Sequence, residues 1–409
     1  MATGSSPLLA DLVLEGGGVK GLGTAGAVMR LLEAGYRFPR AAGTSVGAIA
    51  AAVVAAGVDA VGMQKVMERL DLPSVPDRAA PHLPFVSEGL TMYSRLGAYK
   101  GEYIHDWLHR ELRRLGIVTF GDLRRMDGGD DEHLSAEQRY SLVVMATDVT
   151  RGRLLRLPWD YRLFGLDPDA QFVADAVRMS LSIPLFFEPC SLTHAVTGET
   201  SVIVDGGVLS NFAVDAFDRT DGKKPRWPTF GVRLLPDLPA GNAHVFPALA
   251  MPLVPPMRLV EQVLTTGLVG RDQTHLDRPG VRDRTMIIDT SGVGITDFRL
   301  EEERRQKLLR QGRDARNSAS SSAGSCVYSH PPKSPDDFGT FRACQSPYSA
   351  RRDGGTRADP PRWPGRVTDA CTARRTACTP GAGPQASASM GPTAVTSRRV
   401  GAIIGSRKR

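Results

Sequence analysis

The order of strand-like and helix-like segments predicts an α/β fold, a three-layer α/β/α sandwich with a largely parallel central sheet. Three observations carry that expectation. Short apolar or β-branched runs recur at 11–15, 39–43, 141–147, 201–205, 229–234 and 284–289. Segments of helical length and period lie between or beside them, at 22–34, 46–57, 59–69, 101–115, 171–180, 255–270 and 300–312. The first two strand-to-helix junctions are rich in glycine, as tight turns between such elements require. The chain has 409 residues, 41 % of them hydrophobic, enough for a sizeable core.

The first strand, Asp11-Leu12-Val13-Leu14, runs into the turn Glu15-Gly16-Gly17-Gly18-Val19-Lys20-Gly21. Ala27, Val28, Leu31 and Leu32 then repeat at helical spacing. A glycine-rich turn at the start of a helix aims backbone N–H groups at one point, and the helix dipole adds positive potential there. Such a point holds a phosphate or the oxyanion of an acyl intermediate. The second strand ends in Gly43-Thr44-Ser45-Val46-Gly47, a GxSxG pentapeptide followed by a helix rich in alanine, with Gly57 as its stop. Between this helix and the next site motif lie two expected loops, 72–93 and 127–138. Ser201-Val202-Ile203-Val204 reads as a buried strand ending in Asp205-Gly206-Gly207. That aspartate is either a solvated turn residue or a carboxylate held against the serine hydroxyl as its base. Residues 246–268 are apolar and broken by proline, a segment for packing, for an acyl channel or for lipid contact.

Taken together, Gly16–Gly21, Gly43–Gly47 and Asp205–Gly207 resemble the patatin-like phospholipases of bacterial type, whose pattern is Gly-Gly-Gly-x-Arg/Lys-Gly, Gly-x-Ser-x-Gly and Asp-Gly-Gly/Ala in that order. Residues 173–180, Ser182–Phe187, Asp205–Asn211 and Thr296–Phe298 are similar to bacterial members as well, so the resemblance covers about residues 9–312. Ala213 departs from it, standing where many members have proline. The resemblance implies a patatin-like fold and an acyl hydrolase. Ser45 would be the nucleophile and Asp205 its base, without histidine. Gly16, Gly17 and Gly18 would hold the oxyanion, and Gly21, Gly43, Gly47, Gly206 and Gly207 would support the motifs. Lys20 would order the turn or attract an anionic head group. The substrate would be a phospholipid or other lipid ester, met through transient contact with a membrane interface. No cofactor and no metal are expected: the spacing of calcium ligands is missing, and Cys371 and Cys378 lack a zinc-site partner pattern.

Competing readings remain at this level. A Ser-His-Asp esterase would draw its histidine from His244 or His275, both after Asp205 in the chain. A nucleotide-binding protein would use Gly16-x-Gly18-x-x-Gly21 as a dinucleotide fingerprint, yet no acidic residue ends the next strand where a ribose needs one. A catalytically silent lipid-binding protein would carry the same motifs.

Charge divides the chain. Residues 316–409 hold 15 Lys+Arg against 5 Asp+Glu, whereas 1–315 hold 36 against 39. The formal net charge of +7 thus belongs to a Ser-, Pro-, Gly- and Arg-rich tail, expected to be disordered; a natural extension and a shifted reading frame both give such a composition. No nucleic-acid partner is expected for the core. Four of the five cysteines, Cys326, Cys344, Cys371 and Cys378, lie in that tail, leaving Cys190 alone in the core as a packed thiol. This suits a reducing compartment. No signal peptide or transmembrane helix is expected, the longest apolar run (46–58) being too short to span a bilayer. The expectation is a cytoplasmic protein that meets membranes peripherally.

Overall fold

Strand β1 (Leu8–Leu14) is buried on both faces from Ala10 onward, because neighbours pair with it on either side. The computed structural model describes residues 7–77, 97–125, 138–219, 223, 225–234 and 279–317, all within one unit, Met1–Gln345. After β1 come α1 (Gly21–Glu33), β2 (Tyr36–Thr44), α2 (Val46–Ala55), α3 (Ala60–Glu68), β3 (Gly97–Tyr99) and α4 (Glu102–Arg114). Then follow β4 (Leu142–Asp148), β5 (Arg153–Leu157), α5 (Val173–Ser180), β6 (Leu185–Phe187), β7 (Cys190–Thr193) and β8 (Thr200–Asp205). Strand β9 (Thr229–Leu234), β10 (Thr285–Ile288), α6 (Glu302–Arg313) and β11 (Arg316–Asn317) complete the described elements used below.

The main sheet has the order β11-β10-β9-β1-β2-β4-β8-β7, with β5 also paired to β4. Its centre, β10-β9-β1-β2-β4, is parallel, while β5, β7, β8 and β11 join antiparallel. The sheet is thus mixed. Each expected strand and helix within the described residues is present, with ends shifted by up to three residues. The expected helix 255–270, the apolar segment 246–268 and most of the loops 72–93 and 127–138 lie outside the described residues, as does the tail beyond Asn317.

Strand alternation sorts side chains to two faces. Leu12, Leu14, Ala41, Val144 and Ala146 face the larger core, built with α1, α2, α3, α4, α5 and α6. Val13, Ala42, Val143 and Met145 face the other side, covered among the described residues by Phe212, Ala213, Val214, Ala216 and Phe217. Ala213 thus fills core space where the family pattern has proline. One charged pair is buried with them. Arg40 donates to both carboxylate oxygens of Asp11, at 2.8 and 2.5 Å, and its guanidinium lies 4.8 Å from the Phe217 ring centroid. Bidentate geometry and the ring offset the desolvation of both charges.

The last helix is held by missing side chains. A Cβ on Gly26 of α1 would lie 2.2 Å from Leu309 O, and one on Gly312 of α6 would lie 1.9 Å from Gly23 O. The two helices meet backbone to backbone behind the turn that follows β1.

Candidate active site

Ser45 stands at the junction of β2 and α2 with φ 53° and ψ −128°, a region costly for a residue with a Cβ. The strain is imposed by what surrounds the turn. A Cβ on Gly43 would sit 2.3 Å from Gly47 O, and one on Gly47 would sit 2.5 Å from Leu14 O. Both glycines therefore let the chain reverse tightly against β1. The Ser45 N–H donates to Ser180 Oγ at 2.8 Å, and Ser180 Oγ donates on to Met145 O at 2.6 Å. This fixes the backbone of the elbow from the end of α5.

Asp205 ends β8, one strand away across β4, where it pairs with Ala146. It is 1 % exposed. Its Oδ1 accepts from Gly207 N–H at 2.8 Å, and its own N–H donates to Ser182 O at 2.8 Å. Burial pushes the carboxyl up to about 7, against the opposing pull of the Ser45 hydroxyl and the Gly207 N–H. Oδ2 is buried without a partner in hydrogen-bonding geometry, so the Ser45 hydroxyl is close enough to favour the ionised form yet not aligned on that oxygen. Gly206 admits the strand end closely, since a Cβ there would meet Met145 O at 2.4 Å.

The glycine turn lies on the other side of Ser45. A Cβ on Gly16 would come 2.9 Å from Ser45 Cβ, and one on Gly21 would come 2.5 Å from Val46 Cγ1. Gly18 has φ 55°, and Ile295 O occupies the space a Cβ would need. The N–H groups of this turn divide between structure and solvent-facing use. Gly16 N–H donates to Asn211 O at 3.2 Å, Val19 N–H to Ile295 O at 2.9 Å and Lys20 N–H to Gly17 O at 3.2 Å. Among the described residues no acceptor meets the N–H of Gly17 or Gly18. Of the three donors expected from sequence, Gly16 is therefore engaged and two remain. Lys20 is buried and is not on the cavity beside Ser45. Its charge is a minor contributor to holding Asp289 below the usual carboxylate range, behind the hydrogen bonds from Ser291.

Ser45 and Gly18 open onto one apolar cavity walled by residues such as Leu22, Ile49, Leu70, Ile104, Leu181 and Phe187. Such a lining suits an alkyl chain far better than a nucleotide. No described histidine lines it; His244 and His275 lie outside the described residues.

Two structural partners of the site were not assigned roles from sequence. Ser180 holds the elbow, and Asn211 clamps the glycine turn through both its backbone O and its Nδ2, which donates to Gly16 O at 3.0 Å. Both sit in segments that carry the family resemblance, but only the fold shows what each one touches.

Comparison with known proteins agrees with the motifs. The family described as Patatin-like phospholipase matches residues 12–218. The uncharacterized protein YqhO of Bacillus subtilis (strain 168) is 36 % identical over 307 residues, covering 74 % of this chain and 95 % of its own. The uncharacterized protein R571 of Acanthamoeba polyphaga mimivirus is 25 % identical over 223 residues, 52 % of this chain and 63 % of its own. Among solved structures, VipD from Legionella pneumophila overlaps 77 % of this chain and 67 % of its own, with a TM-score of 0.43 and 20 % identity. ExoU of Pseudomonas aeruginosa, solved with SpcU, overlaps 76 % of this chain and 51 % of its own, with a TM-score of 0.38 and 21 % identity.

Proposed function

We infer that this chain, which belongs to the patatin-like phospholipase family, cleaves fatty-acyl esters of phospholipids or related lipids with a Ser45–Asp205 dyad. The observation that carries this reading is the buried carboxyl of Asp205. It shares its surroundings with the Ser45 hydroxyl, has one oxygen without a partner, and is pushed up to about 7. A carboxylate so placed is a far better base at neutral pH than an ordinary aspartate, whose pKa is about 3.9.

In the proposed reaction the acyl chain lies in the apolar cavity and the ester carbonyl reaches Ser45. Asp205 takes the hydroxyl proton as Oγ attacks, and the free N–H groups of Gly17 and Gly18 stabilise the oxyanion. The alcohol part of the lipid leaves with the proton held by Asp205. Water, deprotonated by the same carboxylate, then attacks the acyl-Ser45 ester; Asp205 returns that proton to Ser45 Oγ as the fatty acid leaves. In this reading Ser45 Oγ aligns on Oδ2 with substrate bound, as catalytic hydrogen bonds commonly tighten only then.

Labelling by a fluorophosphonate probe, combined with fatty-acid release from mixed phospholipid vesicles, tests the reading. Wild type should label at Ser45 and release fatty acid, and Ser45→Ala should do neither. A folded wild type that neither labels nor hydrolyses would leave a silent lipid-binding protein as the better account.

A further inference from the structure

A second convergence of reactive side chains lies away from Ser45, between α4 and α5. His105 and His109 stand four residues apart on α4, so their rings project from one face. Asp175, in the first turn of α5, reaches both. His105 Nε2–H donates to Asp175 Oδ1 at 2.7 Å, and His109 Nε2 lies 3.5 Å from the same oxygen. The two imidazoles meet edge to face, 4.7 Å between centroids. The far side of His109 rests on the Phe172 ring at 5.6 Å. All three side chains are half-buried, enough to be held and still open to solvent.

We propose that His105, His109 and Asp175 form a binding site for one divalent transition-metal ion of the zinc class, with a fourth position left to water. The donor set is two imidazole nitrogens and one carboxylate oxygen, which suits zinc and its neighbours and not the all-oxygen preference of magnesium or calcium. The spacing is close to what an ion needs. Ligand atoms around a tetrahedral ion with bonds of about 2.0–2.1 Å stand roughly 3.3 Å apart. The two nitrogens lie 2.7 and 3.5 Å from the shared oxygen, and all three ligand atoms lie within 4.8 Å of one another, so the set draws together on an ion. Both approach through Nε2. With Nε2 of His105 on a metal, its proton would sit on Nδ1, on the side of Asp106, whose Oδ1 stands 4.0 Å away, beyond hydrogen-bond distance.

The place of the site gives it a consequence. Three residues beyond Asp175, Arg178 donates to Gly101 O at 3.2 Å and to Lys100 O at 2.5 Å, tying α5 to the start of α4. Two residues further, Ser180 holds the Ser45 N–H, and Ser182 O accepts from Asp205 N–H. An ion joining α4 to α5 clamps the helix on which the backbones of both Ser45 and Asp205 are hung. It takes no part in bond cleavage, and its binding does not depend on the hydrolase reading.

The test uses the full chain stripped of metal with a chelator, then titrated with zinc by calorimetry and with cobalt(II) by visible absorption. The expected result is a zinc equivalent that is lost in the double variant His105→Ala/His109→Ala and bound at least tenfold more weakly in Asp175→Asn. Magnesium should give no saturable heat, and zinc should raise the melting temperature of wild type but not of the double variant. Cobalt bound to wild type should show tetrahedral d–d bands without a thiolate charge-transfer band, a readout that needs no variant to fold. A wild type without saturable zinc binding, a zinc stoichiometry unchanged in the double variant, or a thiolate band as cobalt's sole signature would overturn the proposal.

Discussion

At the scale of single residues, Asp205 is pulled by two demands. Burial raises its pKa toward neutrality, as the proposed base requires, and makes its charge costly to the fold. Its carboxyl titrates at about 7 in the native state, against 3.8 as the ordinary value. Between those limits the native protein holds a proton that the unfolded chain has released, so stability falls as pH rises from about 4 to about 7. The full cost above pH 7 is about 4 kcal/mol, at 1.36 kcal/mol per unit. Asp205→Asn should therefore unfold at higher urea than wild type at pH 8 and lose that advantage near pH 4. Wild-type kcat/KM should rise with pH through about 7, whereas a base with an unperturbed carboxyl would leave the profile flat from pH 5 upward. Ser45, Asp205 and the motif glycines were legible in the sequence because each motif is contiguous. The engagement of Gly16 N–H was not, since its acceptor, Asn211 O, lies 195 residues away and belongs to the backbone.

At the scale of elements, the elbow and the helix that supports it make separate predictions. Gly47→Ala places a Cβ against Leu14 O and Glu15 O, which β1 cannot yield cheaply. A loss of about 1–3 kcal/mol in urea unfolding is expected, typical of overpacking, together with slower labelling of Ser45. Ser180→Ala removes the acceptor of a buried N–H, 135 residues from it in the chain. It should cost about 1–3 kcal/mol and also slow the labelling, although Ser180 is not proposed to touch substrate. Unchanged labelling in Ser180→Ala would separate the elbow from α5. The parallel strands were readable because burial on both faces writes near-continuous apolar runs. Strands β3, β6 and β7 have three or four residues, too few to express a period, and β5 mixes arginine with leucine at the edge of β4. These were missed: β5 and β7 are antiparallel members of the main sheet, and β3 and β6 pair in parallel as a separate sheet.

At the scale of the whole molecule, the glycine contact of α1 with α6 and the pairing of β11 with β10 join the chain up to Asn317 to the sheet. A cut near residue 315, reasonable from composition, would remove Arg316 and Asn317, which pair with Ile287 and Met286. A chain ending at Asn317 should keep the melting temperature and the Ser45 labelling of the full chain. It should bind anionic vesicles with a weaker dependence on salt, since most of the basic excess lies beyond it. Among the described residues no helix is long and apolar enough to cross a membrane. The most direct test of the central claim is the rate of fatty-acid release by folded Asp205→Asn against wild type at pH 8. A fall on the order of 10²–10⁴ is expected for a lost general base, with Ser45 still in place; an Asp205→Asn protein that releases fatty acid at the wild-type rate would contradict the dyad.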